Sequence, residues 1–181
     1  MTTTKPMTAE QFGELQKDGR FDLIAGEVYR LSPSKSWHSA VSGRLSGELY
    51  VYARAHGGAS PTAEGGYLVA HNPDSVLCPD ASYIGAEKKL LADNHKDEWY
   101  PFAPDIAVEV LSPSESRRSI ARKVDLYLAA GSAQVWLVDM KRETLTVHAL
   151  GAEPRILTAT DTLNGGRTLP GFTLELAQLF R

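Results

Sequence analysis

The chain has 181 residues, 43% hydrophobic and 23% charged, the composition of a globular domain able to bury a core. A net charge of −3 and a pI near 5.9 argue against a protein that coats nucleic acid non-specifically, and leave room for a local basic patch. No apolar run approaches the ~20 residues that span a bilayer, and the first residues lack the apolar segment of a secretory signal. Cys78 stands alone, which excludes an internal disulfide and a thiolate zinc cluster, so a reducing cytoplasm is the expected compartment.

Thr8-Ala9-Glu10-Gln11 has the form of a capping box and predicts a short helix to about Lys17. Phe21 to Leu31 reads as a hairpin turning at Ala25-Gly26, broken afterwards by "SPSKSWH". From about His38 to Ala55, Val41, Leu45, Leu49 and Tyr52 share one helical face, and Gly57-Gly58 supply the stop. Strands are predicted over Glu64 to Ala70 and Leu77 to Ile84, joined by the turn "HNPDS", with Gly85 to Ala103 a loop containing a helical turn. A buried strand follows at Ile106 to Leu111, then the break "SPSES" and a helix from about Arg118 to Ala130 that stops at Gly131. "AQVWLVDM" and "TLTVHAL" form a second hairpin around Lys141-Arg142-Glu143, and the tail reads as a short strand, a turn and a short terminal helix. The pattern is a mixed α/β (α+β) domain over 1–181, with a central sheet flanked by helices. It divides into an N-terminal helix and hairpin (8–31), a core (38–150) and a C-terminal extension (151–181).

The strand at 106–111 poses a question. Alternation puts Ile106, Val108 and Val110 on one side and Ala107, Glu109 and Leu111 on the other, so neither side is polar. An ionised carboxylate there calls for a partner cation, a metal or a raised pKa. The following helix holds a second oddity: Lys123 falls within the stripe of Ile120, Val124, Tyr127 and Leu128. Snorkelling is the ordinary explanation for such a lysine. Geometry offers another. Glu109 lies three residues before the strand ends, roughly 10 Å deep, and Lys123 five residues into the returning helix, roughly 7.5 Å deep. Layers about 10 Å apart let the two meet.

Pro79 lacks an N–H and suits a strand end or bulge that turns Asp80 towards the same place, although a turn or cap role would also explain Asp80. Asp105, in the second Pro-Asp pair, sits roughly 13 Å from Glu109 along the strand, too far to share a metal with it. Two carboxylates beside a lysine suit a hard cation, Mg²⁺ or Mn²⁺, and with it phosphodiester hydrolysis. His56, His71, His95 and His148 show no ligand spacing and are read as surface or packing residues.

Pro79-Asp80, Glu109 in "VEVLSPS", Lys123 in "ARKVDLYLAAG" and then "VWLVD" together resemble the Uma family of restriction endonucleases, a branch of the PD-(D/E)XK nuclease superfamily. The similarity runs from "FDLIAGEVYRLSPS" through "VHAL". It implies a restriction-endonuclease-like core and Mg²⁺-dependent (or Mn²⁺-dependent) cleavage of DNA. It makes Asp80 and Glu109 the metal-binding acids, with the backbone carbonyl of Val110 a further ligand. The superfamily lysine belongs two residues after the acid, where this chain has Leu111, and in the Uma branch it moves to the next helix, which selects Lys123. Glu27 in "AGEV" and His38 after "SPSKSW" also match family blocks: Glu27 is either an extra acid or a solvated hairpin residue, His38 a base, a phosphate contact or polar surface.

Two rival expectations stand beside the nuclease: a catalytically silent nuclease-like module for binding or assembly, and a purely structural Glu109–Lys123 pair. A domain that cuts two strands is expected to act as a homodimer. The exposed edge of the 134–150 hairpin, with Trp136, is expected to form part of the contact.

Overall fold

The computed structural model describes residues 5–15, 19–33, 35–61, 65–96, 98–113 and 115–181. Helix α1 (Ala9–Leu15) opens on the capping box: the Gln11 N–H donates to Thr8 Oγ1 at 3.3 Å and the Thr8 N–H to Gln11 Oε1 at 3.1 Å. Its expected end at Lys17 lies outside the described residues. Strands β1 (Phe21–Ile24) and β2 (Glu27–Arg30) form the first hairpin, with positive φ at both Ala25 and Gly26, the backbone of a tight two-residue turn.

Helix α2 (Ser36–His56) begins two residues earlier than its apolar pattern implied. It buries Val41, Leu45, Leu49 and Tyr52 and ends on the left-handed Gly57, whose N–H reaches the Ala53 carbonyl. Strands β3 (Tyr67–Ala70) and β4 (Ser75–Leu77) follow as a hairpin, the expected start at Glu64 lying outside the described residues.

The run Leu77 to Ile84 is two strands rather than one. β4 pairs with β1 and β3, and β5 (Ala81–Tyr83) pairs with β6 (Ile106–Val110). The chain crosses from sheet to sheet at Cys78-Pro79-Asp80, where proline has no N–H to add to a ladder. The polar stretch after Gly85 holds more than a turn: α3 (Ala86–Ala92) forms there, with the Asp105 carboxylate accepting from the Gly85 N–H at 2.7 Å.

Helix α4 (Arg117–Ala129) connects β6 to β7 (Gln134–Asp139), which run parallel, and Ser116 caps it by accepting from the Ser119 N–H. Strands β8 (Thr144–His148) and β9 (Arg155–Thr158) complete a five-stranded mixed sheet in the order β5-β6-β7-β8-β9. The first sheet is antiparallel, β2-β1-β4-β3. The tail contains a hairpin that its polar pattern concealed, β10 (Thr162–Asn164) with β11 (Thr173–Glu175), before the last helix, α5 (Leu176–Leu179).

One face of β6 packs Ile106, Val108 and Val110 with the α2 stripe and Trp136. The other packs Ala107 and Val135 against Val124 and Tyr127 of α4, in a cluster that also takes Ile24, Tyr67 and Leu77 from the first sheet. Each fully buried side chain of this kind contributes ~1.5–3 kcal/mol. Helix α4 is therefore shared by both sheets, and whatever polar group it carries inward meets both. Trp136 cannot serve as a dimer contact: it is 0% exposed in the core, and β9 covers the outer edge of the hairpin.

Candidate active site

Glu109 lies one residue from the end of β6 and faces α4. Every residue of that strand is buried, so its carboxylate has only side-chain partners to replace water. Oε2 accepts from Lys123 Nζ at 3.1 Å and Oε1 from the Tyr127 hydroxyl at 3.0 Å. Lys123 and Tyr127 stand four residues apart, one above the other on the inward face of the helix. The same ammonium lies 3.0 Å from Asp22 Oδ2, on β1 of the other sheet, and 3.4 Å from Glu115 Oε1, just before α4. One lysine thus faces three carboxylates.

Asp80 sits at the crossing between the sheets. Its N–H donates to the Val108 carbonyl, and extending the β5–β6 register by one residue sets it across from Glu109. Its side chain prolongs the ladder, Oδ2 accepting from the Val110 N–H at 2.8 Å. His38, in the first turn of α2, places Nε2 at 3.0 Å from the Val110 carbonyl and 3.4 Å from Asp80 Oδ2. A carbonyl only accepts, so Nε2 carries the hydrogen. Arg20 Nη2 approaches Asp80 Oδ1 at 3.4 Å.

Burial raises the pKa of Glu109 to about 8; Lys123 opposes the rise, and Asp80, Asp22 and Glu115 add to it. Asp22 is raised by burial as well, again opposed by Lys123. Burial also pushes Asp80 upward, yet His38, the Val110 N–H and Arg20 outweigh it and hold Asp80 low. The hydrogen bond with Asp80 leads in raising His38. Desolvation acts to lower Lys123, and its three acids reverse that and keep the ammonium charged. Four carboxylates (Asp22, Asp80, Glu109, Glu115) face three basic groups (Lys123, Arg20, His38). Even with His38 charged, acid exceeds base by one.

The model of the Uma2 family, described as "Putative restriction endonuclease", matches residues 9–177. The chain belongs to the Uma2 family. No curated protein matches it. The crystal structure of a putative nuclease belonging to DUF820 from Anabaena variabilis superposes with a TM-score of 0.82 at 18% identity, covering 97% of this chain and 98% of that one. The Uma2 chain therefore has a nuclease-like mixed α/β fold, and its family supports a nuclease function.

Of the residues nominated by the resemblance, the Uma2 fold brings Asp80, His38, Glu109, the Val110 carbonyl and Lys123 to one end of β6. Glu27 stays apart: it is exposed on β2, where Oε2 accepts from the Tyr29 hydroxyl at 2.7 Å. Of the remaining histidines, His56 stacks on Tyr52, His71 and His95 pair with Asp74 and Glu98, and His148 is half-buried. Sequence reasoning missed Asp22, Glu115, Arg20 and the Tyr127 hydroxyl. Asp22 had the signal that exposed Glu109, an acid inside the apolar run "FDLI", and that signal went unused.

Among the described residues, no group of three His, Cys, Asp or Glu side chains is gathered to hold a metal unaided. Asp80, Glu109 and the Val110 carbonyl make a smaller set of hard oxygens, the kind Mg²⁺ takes while keeping several waters. The excess of acid over base and the raised pKa of Glu109 fit a dication there.

Proposed function

We propose that this Uma2 protein is an endonuclease that hydrolyses DNA phosphodiester bonds with the help of Mg²⁺ or Mn²⁺. The observation that carries the reading is the surplus of buried acid at the end of β6, which raises the pKa of Glu109 and suits one further cation. Asp80, Glu109 and the Val110 carbonyl would hold that cation. Bound there, it would supply a water of lowered pKa and offset charge on the phosphoryl oxygens. Lys123, charged and fixed by three acids, orients that water or neutralises charge that develops in the transition state. His38 donates from Nε2 beside Asp80, the arrangement of a phosphate contact rather than a free base. Glu27 is offered only an outer role, through Tyr29 and Arg122.

DNA as partner fits the basic face of α4. Arg117, Arg118 and Arg122 are exposed on its first two turns, so a chain of net charge −3 still presents local positive charge. A two-fold homodimer with one site per strand, working in the cytoplasm as a single domain, completes the proposal.

One observation favours a second reading. The direct 3.1 Å contact of Lys123 with Glu109 is what a silent, structurally paired binding or assembly module would also show. Crystals soaked in Mn²⁺ separate the two. An anomalous peak between Asp80 and Glu109 supports the nuclease. No peak, with the Lys123–Glu109 pair intact, supports the silent module.

A further inference from the structure

We propose that Asp22 is a positioning residue, which keeps the Lys123 ammonium at the cleavage site when the Glu109 carboxylate is taken up by a cation. The inference rests on the nuclease reading above and assigns a role to a residue outside its ligand set.

A lysine ammonium has three hydrogens to donate, and here three carboxylates surround it. Any state in which Glu109 turns to a cation removes one of them. The two that remain differ. Glu115 is the farther at 3.4 Å and partly exposed, and its Oε2 already accepts from the Ser112 N–H at 3.2 Å. Asp22 is 1% exposed and sits in β1 between two paired strands, with Oδ1 pinned by the Cys78 N–H at 3.1 Å.

The other oxygen of Asp22 is the telling one. Oδ2 lies 3.0 Å from Lys123 Nζ in a buried ion pair whose angles fall short of a good hydrogen bond, and among the described residues it has no other hydrogen-bond partner. A buried carboxylate whose one cation sits off-axis gains from a better-aligned contact. This off-axis contact straightens into a full hydrogen bond once Glu109 is engaged elsewhere. The ammonium then stays at the site through a small shift of the Lys123 side chain towards β1, with Asp22 as its buried partner.

Three measurements test this: cleavage kinetics on supercoiled DNA with Mg²⁺, Mn²⁺ affinity by calorimetry, and a crystal structure with Mn²⁺. For Asp22→Asn, kcat should fall about 100-fold, as for loss of a positioned group acting on the transition state. KM and the Mn²⁺ Kd should stay within about threefold, because uniform binding is untouched. Glu115→Gln should cost less than Asp22→Asn. The Mn²⁺-bound parent needs no variant: Lys123 Nζ should donate a hydrogen bond to Asp22 Oδ2. An Asp22→Asn protein that cuts like its parent overturns the inference alone. So does a loss of Mn²⁺ affinity of about tenfold or more, which would make Asp22 part of the metal site itself. A parent that neither binds Mn²⁺ nor cuts DNA removes the nuclease reading and this role together.

Discussion

Replacing Lys123 by methionine keeps an unbranched stem among Val124 and Tyr127 and deletes the charge. The cost follows from which acids lose their partner. Burial raises the pKa of Glu109 to about 8 even with Lys123 beside it, so much of its penalty is present before the change. Glu115 is partly exposed and can turn to water. Asp22 has neither escape, and without Lys123 it must take up a proton. Holding an acid of reference pKa 3.8 in its neutral form costs roughly 1.36 kcal/mol per pH unit above that value. The ceiling is therefore about 4 kcal/mol at pH 7 and about 1.5 at pH 5, the former within the ~3–5 kcal/mol found when a buried pair is broken. The sign follows from proton counts: the folded variant binds a proton that the unfolded chain releases, so its deficit grows as pH rises. Urea unfolding at the two pH values measures it. A loss equal at both, or below about 1 kcal/mol at pH 7, would refute Lys123 as the counter-charge of Asp22. In the same variant Mg²⁺-dependent cleavage should fall about 100-fold or more, with Mn²⁺ affinity unchanged or slightly raised.

Glu109→Gln should remove a pH-dependent burden. The folded pKa of Glu109 lies above its reference 4.5, so its contribution is most favourable below 4.5 and is lost as pH rises to about 8. Thermal unfolding across that window should swing in favour of the glutamine variant by roughly 5 kcal/mol, and a flat difference would contradict the raised pKa. His38→Gln acts with a definite sign too: His38 is raised above 6.5, so the stability it lends is complete below 6.5 and fades above. Guanidinium unfolding should show the variant weakest against its parent near pH 6, and a deficit that widens towards pH 8 would show that the Asp80 contact does not govern His38.

The secondary elements were legible where side-chain period and punctuation agree. Helix α2 shows its stripe and its glycine stop, and the first hairpin its Ala25-Gly26 turn. They were less legible at Leu77 to Ile84, because a continuous apolar run does not say which sheet each half joins, and Pro79 was the only mark of the crossing. Trp136 was misplaced for a related reason: neither its burial nor the arrival of β9 on the hairpin edge is visible within "AQVWLVDM". At the site, the meeting of Glu109 and Lys123 followed from depth along adjacent elements, since β6 and α4 are joined by a short break. Asp22 lies 101 residues from Lys123 in sequence (123 − 22), in a different sheet, and no local count of spacing reaches it. Only the shared position of α4 between the two sheets brings them together.

Cleavage of DNA at this site with a divalent cation can be read out most directly in a cleavage panel. Supercoiled, nicked, branched and single-stranded DNA would be incubated with Mg²⁺ or Mn²⁺ and with the parent, Asp80→Ala or Glu109→Gln. Products are expected from at least one substrate with the parent, none in the presence of chelator, and a fall of about 100-fold or more in both variants. Intact substrates under every condition, or cleavage that survives both substitutions, would contradict a cation-dependent nuclease at this site.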